Sequence, residues 1–103
     1  MYEIKFSSKR LRKKFEEIVN LLKDEKGYCE LEYALQNYPK GNPTTHDKIS
    51  RKLEYWAYKL SWGDRVTYKA YDDIDNKKIV VVYFIGNHRD YETFLRKYGK
   101  KKN

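Results

Sequence analysis

Residues 78 to 85 read KIVVVYFI, the most apolar stretch of the chain. A half-buried strand alternates apolar and polar residues, and this run does not. It reads as a strand covered on both faces. Its apolar part, Ile79 to Ile85, is seven residues long, far short of the roughly 20 that a membrane helix needs. The chain has 103 residues, the size of one domain, and a chain this small buries only roughly two thirds of its unfolded surface. That supports one core, with this strand in it.

The flanking patterns predict the remaining elements. Tyr2 to Phe6 alternates and reads as a short strand. Ser7 and Ser8 can cap a helix, and Leu11, Phe15, Ile18, Val19 and Leu22 then recur at helical spacing, with Gly27 as its end. A shorter stripe, Leu31, Ala34, Leu35 and Tyr38, stops at Pro39. The segment PKGNPTTHDK reads as a loop.

In LEYWAYKLSW, Trp56, Tyr58 and Leu60 fall on one face, with Tyr55, Ala57 and Lys59 on the other. Gly63-Asp64 marks a hairpin turn, and DRVTYKAY alternates again. DDIDNKK reads as a polar turn. The last helix opens at Asn87, carries Tyr91, Phe94, Leu95 and Tyr98 as a stripe, and ends at Gly99, before a loose basic tail. Asp90, three residues after Asn87, makes a near capping box. The expectation is an α+β fold in the order β-α-α-β-β-β-α: a small, mostly antiparallel sheet with the N-terminal helices on one face and a C-terminal helix. The other face is expected to stay partly open.

Composition narrows the partners. Lys and Arg number 23 against 15 Asp and Glu, for a formal charge of +8 and a pI near 9.5. Eleven Tyr, four Phe and two Trp are more rings than a small core holds with every hydroxyl satisfied. A basic, aromatic-rich domain points first to nucleic acid, then to an acidic protein, then to an anionic membrane surface. The single Cys29 cannot form an internal disulfide, which fits a reducing, cytosolic compartment.

The basic residues are unevenly placed. Lys9, Arg10, Arg12, Lys13 and Lys14 crowd the start of the first helix. There each opposes the helix dipole at a cost of about 0.3–1 kcal/mol, which a bound polyanion would offset. On the hairpin, Lys59, Arg65 and Lys69 fall opposite Trp56, Tyr58, Val66 and Tyr68. With Tyr55 and Tyr71 they form the kind of basic, aromatic surface that suits single-stranded RNA or DNA. A solvated lysine-rich face is the plain alternative.

Several chemistries are excluded. There is no phosphate loop with a lysine, no zinc set from one cysteine and two histidines, no calcium loop in YDDIDNKK and no serine in a nucleophile elbow. No metal or other cofactor is called for. What remains is His46, His88, arginines, lysines and tyrosines. Histidines can move protons near neutral pH and fixed cations can stabilise a phosphorane, so this set can cleave RNA without a metal.

The hairpin and the final segment together resemble the RelE/ParE toxin superfamily. More narrowly, they resemble the RelE, YoeB and YafQ type of ribosome-dependent messenger RNA endonuclease. The element order is similar over nearly the whole chain. YWAYKLSWGDRVTY resembles the family's strand, turn and R-L-V-Y strand, with Arg65 on the arginine that contacts the scissile phosphate. Lys59 matches a position that carries arginine or lysine in relatives. IGNHRDYETF resembles the closing G-x-H/R segment, with His88 on the catalytic histidine of YafQ-like members, where RelE carries an arginine. His46, in H-D-K-I, resembles the histidine of their H-P-L loop. Phe94 stands where RelE has a tyrosine, a place that Tyr91 can take.

The resemblance implies a toxin of a toxin–antitoxin pair that cuts messenger RNA on the ribosome. Arg65 and Lys59 would stabilise the phosphorane, and His88 and His46 would transfer protons. Lys9, Arg10, Lys13, Lys14, Lys69, Arg89 and Tyr91 would hold RNA. An antitoxin acidic at the contact would be the protein partner. The ParE branch shares the fold and the strand arginine but poisons DNA gyrase without a nuclease site. That branch, or a plain RNA-binding module, is the rival expectation.

Overall fold

The structure is a computed structural model and describes residues 1–26, 30–40, 46–50, 55–60, 62–74 and 77–99. In chain order the elements are β1 (Glu3–Phe6), α1 (Lys9–Lys26), α2 (Glu30–Asn37), β2 (His46–Ser50), β3 (Tyr55–Lys59), β4 (Arg65–Ile74), β5 (Lys77–Gly86) and α3 (His88–Phe94). A π-helical turn (Leu95–Gly99) ends them. The strands form one sheet in the order β1-β5-β4-β3-β2, parallel between β1 and β5 and antiparallel elsewhere. This is the expected α+β architecture.

The helix starts follow from local chemistry. The Ser8 hydroxyl accepts from the Leu11 amide at 3.2 Å, occupying one of the amides that α1 leaves without a partner. Asn87 Oδ1 accepts from the Asp90 amide at 2.9 Å and caps α3. Gly63, at φ +98°, makes the β3–β4 turn, where the Leu60 amide donates to Asp64 and the Gly63 amide to Leu60.

The main core lies between the sheet and the two N-terminal helices. Phe15 of α1 and Leu31, Ala34 and Leu35 of α2 bury themselves against Tyr58, Val66, Tyr68, Val80, Val82 and Ile85. Tyr68 is fully buried, and its hydroxyl donates to the Pro39 carbonyl. Burial raises the phenol pKa well above its ordinary value. Between Thr67 and Tyr68 the β4–β5 register shifts, a bulge that brings Val82 and Ile85 of β5 to the same core face.

Three expectations need correction. The segment read as a loop from Pro39 to Lys48 already contains a strand at His46, because β2 pairs with β3 and gives the sheet an edge strand. DDIDNKK is mostly strand: β4 continues to Ile74 and β5 starts at Lys77. Tyr38 follows α2 and is exposed, packed edge-on against Tyr33. Helix α3 folds back over part of the outer face of the sheet. Gly27, Cys29 and the tail from Lys100 lie outside the described residues.

Candidate active site

The outer face of β3, β4 and β5 is the frame. Register sets Lys59 opposite Arg65, and Arg65 opposite Gly86. The adjoining row is His46, Tyr58, Val66 and Ile85, and its Tyr58, Val66 and Ile85 belong to the core on the other face of the sheet. His88 follows Gly86 by two residues. All four residues assigned acid, base or charge roles from sequence therefore come to one end of the sheet, from four different elements. For His46 this is a statement about backbone position only.

Two like charges directly opposite one another are unfavourable on a strand pair, and neither Lys59 nor Arg65 is a core residue. The Arg65 guanidinium donates to the Gly63 carbonyl at 2.6 Å and lies 5.3 Å from the Tyr91 ring centroid. Its buried Nε has no hydrogen-bond partner, and neither has the hydroxyl of fully buried Thr67 two residues on. A Cβ at Gly86 would fall 2.7 Å from Phe84 Cζ, so a larger residue there requires the Phe84 ring to shift.

His88 is exposed, with Nε2 3.7 Å from Glu92 Oε2 one helical turn on. Its ring centroid is 6.4 Å from that of Tyr91. Tyr91 is thus the shared neighbour of Arg65 and His88. It is only 7% exposed, so the RNA contact expected of it is corrected: the ring is a floor beneath the site, with little surface open to a nucleotide. The N-terminus of α3 is not a ready phosphate cradle either. The helix spans seven residues, and Asn87 takes the Asp90 amide.

The residues expected to hold RNA divide. Lys9, Arg10, Lys13 and Arg89 are exposed. Lys14 reaches across to the sheet, where its ammonium donates to the Ile85 carbonyl at 3.0 Å. It therefore tethers α1 to the candidate end of β5. Arg12 lies over the Phe6 ring. Lys69 sits over Tyr55 at 4.8 Å and Tyr83 at 5.8 Å. Phe94 of α3 caps Tyr55 and stacks on Phe84. Tyr55 is accordingly buried, and the open basic groove expected around it is filled by the protein's own helix. Burial and the nearby Tyr71 hydroxyl push Tyr83 up to about 12.

A cleft of about 480 Å³ lies elsewhere, against β1, and is lined by Met1, Tyr2, Glu3, Ile4, Phe6, Phe15, Glu16, Glu32 and Gln36. It contains none of the expected site residues, and its three carboxylates disfavour a polyanion. Among the described residues no cluster of His, Cys, Asp or Glu could hold a metal ion, and no helix is long and apolar enough to cross a membrane. Sequence reading passes over Thr67 and Trp62 at this end of the sheet. The available signal for Trp62 was a tryptophan immediately before the turn glycine.

No family model matches the chain, and no curated protein or solved structure matches it.

Proposed function

We propose that this protein is a toxin-like endoribonuclease that cleaves messenger RNA on the ribosome, with an antitoxin as its protein partner. The observation that carries the reading is the alignment of Lys59, Arg65 and Gly86 in one row of the sheet, with His88 two residues beyond. Two cations side by side, with a histidine near them, suit charge stabilisation and proton transfer in an in-line transfer. The 2′-oxygen attacks phosphorus as its proton passes to a base, Arg65 and Lys59 stabilise the charge on the phosphorane, and the leaving 5′-oxygen takes a proton from an acid. The products carry a 2′,3′-cyclic phosphate and a 5′-hydroxyl. His88 serves one proton transfer and His46 is the candidate for the other. Exposure of His88 suits a substrate presented on a large surface such as the decoding site, which would supply the enclosure the isolated domain lacks. Lys9, Arg10 and Lys13 would then meet ribosomal RNA.

The test is induction of wild type, His88→Ala and Arg65→Ala in cells, followed by mapping of messenger ends and plasmid supercoiling. The expected outcome is cleavage by wild type, lowered roughly 10²–10⁴-fold by loss of a proton-transfer group and roughly 10²–10³-fold by loss of a charge-stabilising one. Intact transcripts with collapsed supercoiling would instead make the protein a gyrase poison. Undiminished cutting by His88→Ala would remove that residue from the mechanism.

A further inference from the structure

Burial of Tyr91 leaves the proposed site without the ring that a single-stranded substrate would stack on. Trp62 stands at the same end of the sheet, 46% exposed, and makes no hydrogen bond or ring contact with another described residue. Singly exposed apolar residues are ordinary. This one is distinguished by the backbone that carries it. The turn is closed by the Leu60–Asp64 and Gly63–Leu60 hydrogen bonds, and the Gly63 carbonyl in that turn fixes the Arg65 guanidinium. Three residues of chain span at most about 11 Å between Cα atoms, so the side chains of Trp62 and Arg65 leave the backbone close enough for one single strand to meet both. Among the described residues, Tyr33 and Tyr38 are the other widely exposed tyrosine or tryptophan rings, and they belong to the opposite end, where the 38–40 turn meets Tyr68 and Asp72.

We infer that Trp62 is a base-stacking platform for the nucleotide next to the phosphate held by Arg65, and so sets which positions of a single-stranded RNA are engaged. This rests on the reading of Arg65 as the phosphate-holding residue. Stacking on an indole costs no reorganisation of the fold and tolerates any base. Any sequence preference here would therefore reflect stacking strength, which favours purines, and not hydrogen bonds to base edges.

The probe is a 2′-O-methyl messenger, which cannot be cut, with 2-aminopurine placed in turn at each position around the cleavage site. It is measured free and on programmed ribosomes. Wild type is expected to quench the fluorescence at one position, Trp62→Phe to retain part of the quench, and Trp62→Ala to lose it. Trp62→Ala should weaken binding roughly 5- to 150-fold without changing the salt dependence. An abasic nucleotide at that position should cost wild type a similar factor and cost Trp62→Ala nothing further. Equal binding by Trp62→Ala, multiplying losses, or failure of wild type to bind the messenger each overturn the inference. Cleavage of the unmodified messenger is read separately. A Trp62-dependent quench without cutting ends the nuclease reading and leaves the stacking site standing. Unchanged cutting by Trp62→Ala with no quench does the reverse.

Discussion

Arg65 and Tyr91 meet across the gap between strand β4 and helix α3, the guanidinium 5.3 Å from the ring centroid. The contact joins the candidate phosphate-holding residue to the helix that begins at His88. A cation over a partly desolvated ring is worth about 0.5–2 kcal/mol.

A double-mutant cycle of Arg65→Met and Tyr91→Leu, read by urea denaturation, should give a coupling energy of about 0.5–2 kcal/mol. Strictly additive losses would mean that ring and guanidinium are neighbours without an energetic link.

Thr67 keeps its hydroxyl fully buried and without a partner. A buried unsatisfied polar group costs about 1–3 kcal/mol, and an isosteric apolar side chain avoids that cost. Thr67→Val should raise stability by about 1 kcal/mol, or roughly 4–8 °C in Tm for a domain of this size. A lower Tm would mean that the hydroxyl has a partner, such as bound water, in solution.

Asp72 accepts hydrogen bonds from the Lys40 ammonium at 2.8 Å and from the Tyr2 hydroxyl. The Lys40 bond first, and then the Tyr2 bond, hold its carboxyl below the usual carboxylate range. Tyr2 is pushed up to about 12, mainly by burial and then by its bond to Asp72. The folded state therefore binds the Asp72 proton less readily than the unfolded chain. The resulting stability is present at neutral pH and is lost as pH falls through about 4 and below. Both partners of the ion pair are nearly half exposed, which limits the pair to about 0.2–1 kcal/mol. Asp72→Asn should reduce stability by that order at pH 7 and leave it unchanged near pH 2. An equal loss at both pH values would show that the carboxylate charge is not what matters.

Asn87→Ala removes the cap of α3 and should cost about 0.5–2 kcal/mol, with Asn87→Gly costing only a few tenths. Hydrogen exchange at the Asp90 amide is the direct check, since that amide loses its acceptor. Exchange that stays slow in Asn87→Ala would show that tertiary packing alone holds the helix start.

Much of this molecule is legible in the chain. The alternation of Val66, Tyr68 and Ala70, the stripe around Phe15, the caps at Ser8 and Asn87 and the turn at Gly63 all report interactions within a few residues. Local periodicity and capping chemistry encode them directly. The row of Lys59 and Arg65 also follows from the hairpin turn, because a turn of known length fixes the register on both sides.

Other features depended on contacts distant in sequence. Periodicity says that a face is buried and is silent about what buries it. Tyr55 and Lys69 read as an open basic surface, yet Phe94 closes over Tyr55 from nearly forty positions away in the chain. Tyr91 reads as an available ring, yet the return of α3 onto β4 and β5 turns it into packing under Arg65. β2 is a strand because β3 offers it an edge, and Lys14 reads as a free cation until α1 lies beside Ile85. The sequence by itself determined most of the strands and helices, those marked by local periodicity and caps, and where the charged residues and histidines fall along them. Only the tertiary structure decided which of them remain open to a partner, because exposure is set by where distant segments come to rest.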